Sequence, residues 1–121
     1  MDSQQPFTAD KRTDPSDKVT IYSAHGQLNG RDACFDWLEQ VRKDIQAGQK
    51  SVVIDLSDVS RVDSTGIGII AAAHVSATNG GGKVCLTGLS KPLWTLFEST
   101  WLLRVIPHAE KEADAVRIAA S

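Results

Sequence analysis

The stretch from residue 51 to residue 87, SVVIDLSDVSRVDSTGIGIIAAAHVSATNGGGKVCLT, contains the pattern that decides the fold. It begins with a short apolar, β-branched run, Ser51–Leu56, which is typical of a strand buried on both faces. A helix is predicted from Ser64 to Thr78, and the glycines at 80–82 form the turn that follows it. Lys83–Thr87 is a second strand of the buried kind. A strand, a helix and a strand in this order predict a crossover between parallel strands.

The chain before residue 51 adds a strand and a helix. Lys18–Ser23 alternates apolar and polar residues, as a half-buried strand does. Asp32–Ala47 is predicted to be an amphipathic helix that stops at Gly48. Its buried face consists of apolar residues at helical spacing: Cys34, Trp37, Leu38, Val41 and Ile45. Residues 1–17 are polar and contain two prolines, so we predict a flexible N-terminal tail with room for a short edge strand.

The chain after residue 87 continues the alternation. Ser90 is predicted to cap a helix with Pro92 in its first turn. The inner face of this helix is predicted to hold Leu93, Leu96, Phe97 and Trp101. A short strand at Arg104–Ile106 and a last helix at Glu110–Ala119 follow. The sequence therefore predicts a single α/β domain over residues 18–121, with a mostly parallel central sheet, an antiparallel edge strand and helices packed around it.

Composition narrows the class of function. A chain of 121 residues that is 41% hydrophobic builds one ordinary globular core. The net charge is -2 and the basic residues are scattered, so the sequence shows no basic patch of the kind that binds nucleic acid or an anionic membrane. We find no signal peptide and no membrane span, so we expect a cytoplasmic protein with no direct membrane insertion. Cys34 and Cys85 are expected to be buried free thiols, and no metal or cofactor is predicted.

Residues 61–71, RVDSTGIGIIA, carry the candidate chemistry at the start of the central helix. Gly66 begins a formal GxGxxG/A match, but nine residues separate it from Leu56, and the acid expected after the next strand is missing, which argues against dinucleotide binding. Val62 occupies the first glycine position of the GxSxG elbow, which argues against a nucleophilic Ser64. Six candidate metal ligands or general bases show no spacing that is typical of a metal or catalytic site: Asp55, Asp58, Asp63, His25, His74 and His108.

Two interpretations of Ser64 remain open. The serine can simply cap the helix. Plain capping leaves Gly66 and Gly68 unexplained, since a glycine lowers helix stability by up to about 1 kcal/mol relative to alanine. The glycines make sense if another molecule approaches the backbone beside Ser64. A phosphate on Ser64 would lie at the positive end of the helix, so we expect the fold to tolerate modification there.

The residues from Val52 to Phe97, VVIDLSDVSRVDSTGIGIIAAAHVSATNGGGKVCLTGLSKPLWTLF, resemble the STAS domain family, and within it the bacterial anti-sigma factor antagonists. The resemblance extends more weakly from Lys18 to about Ala119. It rests on features in order: a buried strand ending DLS, an Asp-Ser-Thr-Gly-aliphatic-Gly turn that opens a helix, a glycine-rich turn, a strand, and a helix with an internal aromatic residue.

The resemblance implies a non-enzymatic regulator that works by partner switching. Its unphosphorylated form binds an anti-sigma factor that is also a serine kinase and so releases the sigma factor. Phosphorylation of Ser64 ends binding, a phosphoserine phosphatase reverses it, and ATP is bound by the partner. Thr65 is a secondary acceptor, Asp63 orients Ser64, and Gly66 and Gly68 keep the approach clear. The implied partner-binding residues are Asn29, Arg61, Asp63, Thr65, Gly66, Ile67 and Gly68.

Two residues depart from the family pattern. Asn29 replaces the acid of the G-x-L-D turn in Gly26-Gln27-Leu28-Asn29, which removes a charge near the implied phosphorylation site. Arg61 stands where an apolar residue is common. The alternative function is a constitutive STAS scaffold subunit of a membrane transporter or signalling complex, and the Asn29 departure favours it slightly. We expect a monomer or a weak homodimer.

Overall fold

A computed structural model describes residues 6–15 and 18–121, which form one sheet with helices on both faces. The strands and helices lie in this order along the chain: β1 (Thr8–Asp14), β2 (Val19–Leu28), α1 (Asp32–Gln46), β3 (Ser51–Val62), α2 (Ser64–Asn79), β4 (Lys83–Thr87), α3 (Lys91–Ser99), a 3-10 turn (Leu102–Arg104), β5 (His108–Ala109) and α4 (Glu112–Ala120).

The sheet is mixed, with five strands in the order β1-β2-β3-β4-β5. β1 is antiparallel to β2, and the other neighbouring pairs are parallel. The predicted α/β class, with a mostly parallel sheet and an antiparallel edge strand, is confirmed. The edge strand occupies Thr8–Asp14 within the segment predicted as a tail, and it pairs with β2 from Thr8 opposite His25 to Asp14 opposite Val19. The rest of that prediction, at residues 1–5 and 16–17, lies outside the described residues.

The core has two layers because β3 is buried on both faces, as its β-branched run predicts. Ile54 and its alternate neighbours pack with α1 and α2 in the larger cluster. Val53 points to the other face and packs against α4, in a smaller cluster with Val19, Ile21, Cys85, Ala115, Val116 and Ala119. The predicted inner face of α1 is buried at all of its positions: Cys34, Trp37, Leu38, Val41 and Ile45.

The segment between α3 and α4 differs from its prediction. The predicted strand at Arg104–Ile106 is wrong, because the 3-10 turn occupies residues 102–104 and the strand comes after Pro107. Trp101 is also wrongly predicted on the inner face of α3, since it lies beyond the helix and is 62% exposed. The chain reverses at Trp101, which has a left-handed backbone conformation. Ile106 alone of the predicted strand is fully buried, which accounts for the misleading pattern.

A buried carboxylate ties α1 to the first two strands. Asp44 is only 7% exposed and accepts hydrogen bonds from the Tyr22 hydroxyl, from Gln40 Nε2 at 3.0 Å and from Lys11 Nζ at 3.2 Å. Burial alone would raise the pKa of Asp44, but the hydrogen bonds from Tyr22, Lys11 and Gln40 outweigh it and hold the pKa below its ordinary value. The ionised form of Asp44 therefore stabilises the folded chain.

We expect Asp44→Asn to lower the free energy of unfolding by about 1–2 kcal/mol at pH 7, because charge-assisted hydrogen bonds become neutral ones. Since the folded-state pKa is depressed, the contribution of Asp44 is present above the ordinary value of 3.8 and is lost as pH falls below it. Urea unfolding at pH 7 and at pH 3 should show the difference between the two proteins shrinking in acid. Asp36→Asn, an exposed change on the same helix, is the control, and a difference that stays constant with pH would contradict this role.

No helix in the described part of the chain is both long enough and apolar enough to span a bilayer.

Candidate functional site

The candidate site lies where β2 and β3 end side by side. Both strands are longer than predicted and stay parallel to their last residues, with Leu28 opposite Val62. The Asp63 N–H then donates to the Leu28 carbonyl oxygen at 3.3 Å, so α2 starts beside the loop that follows β2. In the structure β3 continues to Val62, so only residues 63–65 separate the strand from Gly66, and the nine-residue gap no longer argues against dinucleotide binding. The strand order does argue against it, because the strands follow one another along the chain and the sheet has no reversal of strand order at which a dinucleotide would bind.

The helix cap is Asp63, so the prediction that Ser64 caps α2 is wrong. The Asp63 side chain accepts from the Gly66 N–H at 2.9 Å, while Ser64 is the first helical residue. A carboxylate is a strong cap and also complements the positive helix end. Among the described residues, none accepts a hydrogen bond from the exposed Ser64 hydroxyl or donates one to it. The hydroxyl is therefore left free for a partner, and the fold does not depend on it.

Removing the cap should destabilise the protein measurably. We expect Asp63→Ala to lower the free energy of unfolding by about 1 kcal/mol, because the Gly66 N–H loses its acceptor. Asp63→Asn keeps a hydrogen-bond acceptor and should lower the free energy of unfolding by only a few tenths of the loss in Asp63→Ala. Ser64→Ala is the matched control at the next residue, and urea unfolding should place it within about 0.5 kcal/mol of the unchanged protein. Equal losses in Asp63→Ala and Ser64→Ala would return the capping role to Ser64.

The two glycines of the turn have different roles. Gly66 is buried, and a Cβ placed on it would lie 2.3 Å from the Leu28 carbonyl oxygen and 2.8 Å from Val62 Cγ1. Its missing side chain lets α2 pack against the end of β2, so the interpretation that it clears an outside approach is wrong. Gly68 is exposed, and a Cβ there would meet no atom within 4 Å. Only Gly68 keeps a surface open beside the start of α2.

The loop after β2 completes the rim of the site. A Cβ placed on Gly30 would lie 3.5 Å from Thr65 Cγ2, so this loop contacts the first turn of α2. Asn29 Oδ1 accepts from the Arg31 N–H at 3.0 Å, which shapes the loop as an aspartate would, but without the charge. Arg61 is exposed on β3 and forms no ion pair among the described residues. The structure thus brings Asn29, Thr65 and the Asp63 turn together, with Arg61 at their margin.

An open groove runs from the site between α1 and α2. It has a volume of about 400 Å³ and is lined by Phe35, Leu38, Glu39, Arg42, Thr65, Gly68, Ile69 and Ala72. Phe35 is 44% exposed at this groove, although it belongs to an amphipathic helix. Ile67, on α2, is half-buried and packs against the core. The apolar helix α2 is therefore enclosed on its inner side and open at Gly68 and Ala72.

The aspartates near the site serve the fold and do not converge. Asp55 Oδ1 accepts from the Ser57 N–H at 2.9 Å, and Asp58 contacts His25 Nδ1 at 3.0 Å. His25 also contacts Asp10 at 3.0 Å, and this hydrogen bond, followed by that to Asp58, raises the pKa of His25. In residues 6–15 and 18–121, no three His, Cys, Asp or Glu side chains are grouped so that they could hold a metal ion.

Both cysteines are free and buried, as predicted. Burial raises the pKa of the Cys34 thiol, and the negative charge of Asp63 raises it further. Burial likewise raises the pKa of Cys85 to about 11. Neither thiol is therefore an activated nucleophile at neutral pH. The Cys34 thiol instead accepts from the Asn29 N–H at 3.3 Å and supports the loop beside Thr65.

Comparison with known proteins identifies the architecture. The model of the STAS domain family matches residues 10–115. An anti-sigma-B factor antagonist from Listeria monocytogenes is 43% identical over 61 residues, which are 50% of this chain and 54% of that protein, so the match spans about half the length of the relative. An anti-sigma factor antagonist structure from Mycobacterium paratuberculosis has a TM-score of 0.81 at 19% identity, covering 96% of each chain. The phosphorylated Bacillus cell fate determinant SpoIIAA has a TM-score of 0.63 at 19% identity, covering 93% of this chain and 99% of that one.

Proposed function

The chain belongs to the STAS domain family, and on that premise we propose that it is an anti-sigma factor antagonist whose binding is switched by a phosphate on Ser64. The unphosphorylated form binds a cytoplasmic anti-sigma factor that is also a serine kinase, and the sigma factor is released. Phosphorylation ends binding, and a phosphoserine phosphatase restores it. ATP is held by the kinase, so this chain acts as substrate and binding partner and not as an enzyme. The Listeria relative, an anti-sigma-B factor antagonist, supports this assignment.

The observation that carries the proposal is the exposed, unused hydroxyl of Ser64 on the first residue of α2. Because Asp63 supplies the cap, modifying Ser64 removes no hydrogen bond from the fold. The first N–H groups of a helix lack intrahelical acceptors and attract anions, so a phosphate at Ser64 lies in a favourable field. The negative charge of the neighbouring Asp63 carboxylate partly offsets this attraction. The fold therefore tolerates the phosphate, and its effect falls on whatever docks there.

The groove between α1 and α2 supports a docking role beside Ser64. It is lined mainly by apolar residues from both helices, with the charged Glu39 and Arg42 on α1, and Thr65 connects it to the first turn of α2. A partner seated over Thr65, Gly68 and Ile67 would cover Ser64 in a largely apolar contact. Nearly two negative charges placed there must be desolvated, which costs several kcal/mol unless the partner supplies cations. A covalent change of a few atoms can thus move the complex from bound to free.

The remaining implied residues have distinct parts in this proposal. Asp63 holds the backbone of the turn through its cap bond, so it fixes the backbone position of Ser64. Asn29 shapes the adjoining loop and leaves it uncharged. This weakens the electrostatic attraction to a kinase that recognises an acidic residue at this position. Arg61 lies two residues before Asp63 and is free to meet either the partner or the phosphate. Thr65 is the nearest alternative acceptor.

Intact-mass analysis tests the proposal directly. The chain is incubated with ATP and the anti-sigma-type serine kinases encoded in the same genome, and each reaction is weighed. We expect the mass of one phosphate on the unchanged protein and on Thr65→Ala, and none on Ser64→Ala. Phosphate gain that persists in Ser64→Ala would remove Ser64 as the acceptor. Absence of any gain, together with stable co-purification with a transporter subunit, would favour the scaffold alternative.

A further inference from the structure

A second exposed surface lies on α3 and the 3-10 turn that follows it. We call it the tryptophan surface and define it by Trp94, Glu98, Trp101, Arg104, Val105 and His108. Trp101 is 62% exposed, Val105 60% and Trp94 40%. The remaining exposed large hydrophobic residues of the described chain, Phe35 and Val75, lie on other helices. The surface shares no lining residue with the groove beside Ser64. A cluster of exposed tryptophans with an arginine is typical of a protein interface.

The exposed position of Trp101 is accompanied by a strained backbone conformation. Trp101 has φ 67° and ψ 4° and follows Thr100, the C-cap of α3. This left-handed position is usually glycine, because a side chain there is strained. The indole is not buried in return, and its ring stacks at the surface under the Arg104 guanidinium, 4.1 Å from the ring centroid. The strain lowers the stability of the monomer, and a contact of this side chain with another molecule would account for it.

The surface contains both a recess and a projection. A cleft of about 320 Å³ opens between Trp94 and Trp101, lined also by Glu98, Leu103, Arg104 and His108. Trp94 is fixed at one wall by an edge-on contact with His108, with ring centroids 5.1 Å apart. Val105 does not line the cleft and projects next to it. When a recess and a projection lie on the same surface, two copies can exchange them around a two-fold axis.

The charges on the surface are also self-complementary. Glu98 and Arg104 both line the cleft, both are exposed, and neither forms an ion pair within residues 6–15 and 18–121. A two-fold arrangement sets Glu98 of each copy against Arg104 of the other. We propose that the tryptophan surface is a self-association site through which two copies of this chain form a homodimer. A second copy therefore offers its own Glu98, Arg104 and Trp101 as binding partners for the same three residues of the first copy.

The small area of the surface favours a weak dimer over a stable one. Its three large side chains expose a few hundred Å² of apolar area, less than the roughly 800 Å² per partner of a stable interface. We therefore expect a weak dimer with a dissociation constant of about 10–100 µM. Ser64 lies outside the surface, so each dimer would present two free Ser64 sites. The proposal does not depend on the function assigned to Ser64.

Sedimentation velocity on the full chain, between about 1 and 500 µM, tests the proposal. The unchanged protein should shift from monomer to dimer across this range. W101G should weaken association at least tenfold and raise Tm by about 4 °C, because glycine relieves the left-handed strain. V75A, which trims an exposed hydrophobic side chain on another helix, should associate normally. A protein that stays monomeric throughout, or a W101G dimer as strong as the original, would overturn the site. A lower Tm for W101G would overturn the strain argument.

Charge reversal tests the two-fold arrangement separately, without substituting Trp101 itself. Arg104→Glu and Glu98→Arg should each weaken association at least fivefold, because like charges then face each other across the axis. The double variant should recover to within about threefold of the unchanged protein, because the pairs are restored with reversed signs. Two weak single variants with no recovery in the double would rule out this arrangement.

Discussion

Ser64→Asp and Ser64→Glu are expected to weaken binding of the anti-sigma partner by about 100-fold, while Ser64→Ala should bind as tightly as the unmodified protein. A 100-fold loss corresponds to about 2.7 kcal/mol, which is within the range for placing an unpaired charge in a desolvated contact. The alanine variant removes the acceptor and leaves the contact uncharged, so it should be bound constitutively. Calorimetric titration of each variant against the same kinase measures the difference.

The control for these variants is Thr78→Asp, an equal charge change at the opposite, exposed end of α2. It should leave the affinity within about threefold of the original, because it lies outside the proposed contact. Thermal unfolding of every variant checks that the fold is retained. Equal affinities for Ser64→Ala and Ser64→Asp, with both proteins folded, would contradict a charge-operated switch at this residue.

Gly66→Ala is expected to lower the free energy of unfolding by about 3 kcal/mol, because the added methyl group clashes with a backbone atom that cannot move alone. The Cβ would lie 2.3 Å from the Leu28 carbonyl oxygen, at the junction of β2 and α2. For a domain of this size we expect Tm to fall by about 12 °C. Differential scanning calorimetry measures the shift.

Gly68→Ala is the matched control, two residues further along the same helix. Its Cβ would meet no atom within 4 Å, and alanine is the better helix former, so stability should rise by up to about 1 kcal/mol. Opposite signs for the two substitutions would establish that the glycines of the turn have different roles. A Gly66→Ala protein as stable as the original would contradict the packing assigned to α2.

The layout of the fold could be predicted from the sequence because its central strands are continuous β-branched runs. Two strand segments are buried on both faces of the sheet, Ser51–Leu56 and Lys83–Thr87. A continuous apolar run in the sequence indicates this kind of burial. The further course of β3 to Val62 was not visible, since Ser57–Arg61 are mostly polar residues at a part of the sheet where one edge is free. Pairing with β2 keeps these residues in a strand, and among them only Val59 is buried.

The start of α2 at Ser64 could be located from the sequence, but the contacts around it could not. The pattern from Asp63 to Gly68 placed a helix start at Ser64, and the structure agrees. The choice of Asp63 as cap depends on side-chain geometry that spacing does not reveal. The role of Gly66 depends on Leu28, which is distant in sequence, so only the folded chain shows the close approach. Asp44 is similar, because its partner Tyr22 lies on another element.

The most direct test of the switch compares one protein in two covalent states. The chain is phosphorylated to completion by its kinase, separated from the unmodified form, and both are titrated by calorimetry against the same anti-sigma factor with a non-hydrolysable nucleotide. We expect the unmodified form to bind and the phosphorylated form to bind about 100-fold more weakly, with affinity restored when a phosphatase removes the phosphate. Equal affinity of the two forms, or tighter binding of the phosphorylated one, would contradict partner switching through Ser64.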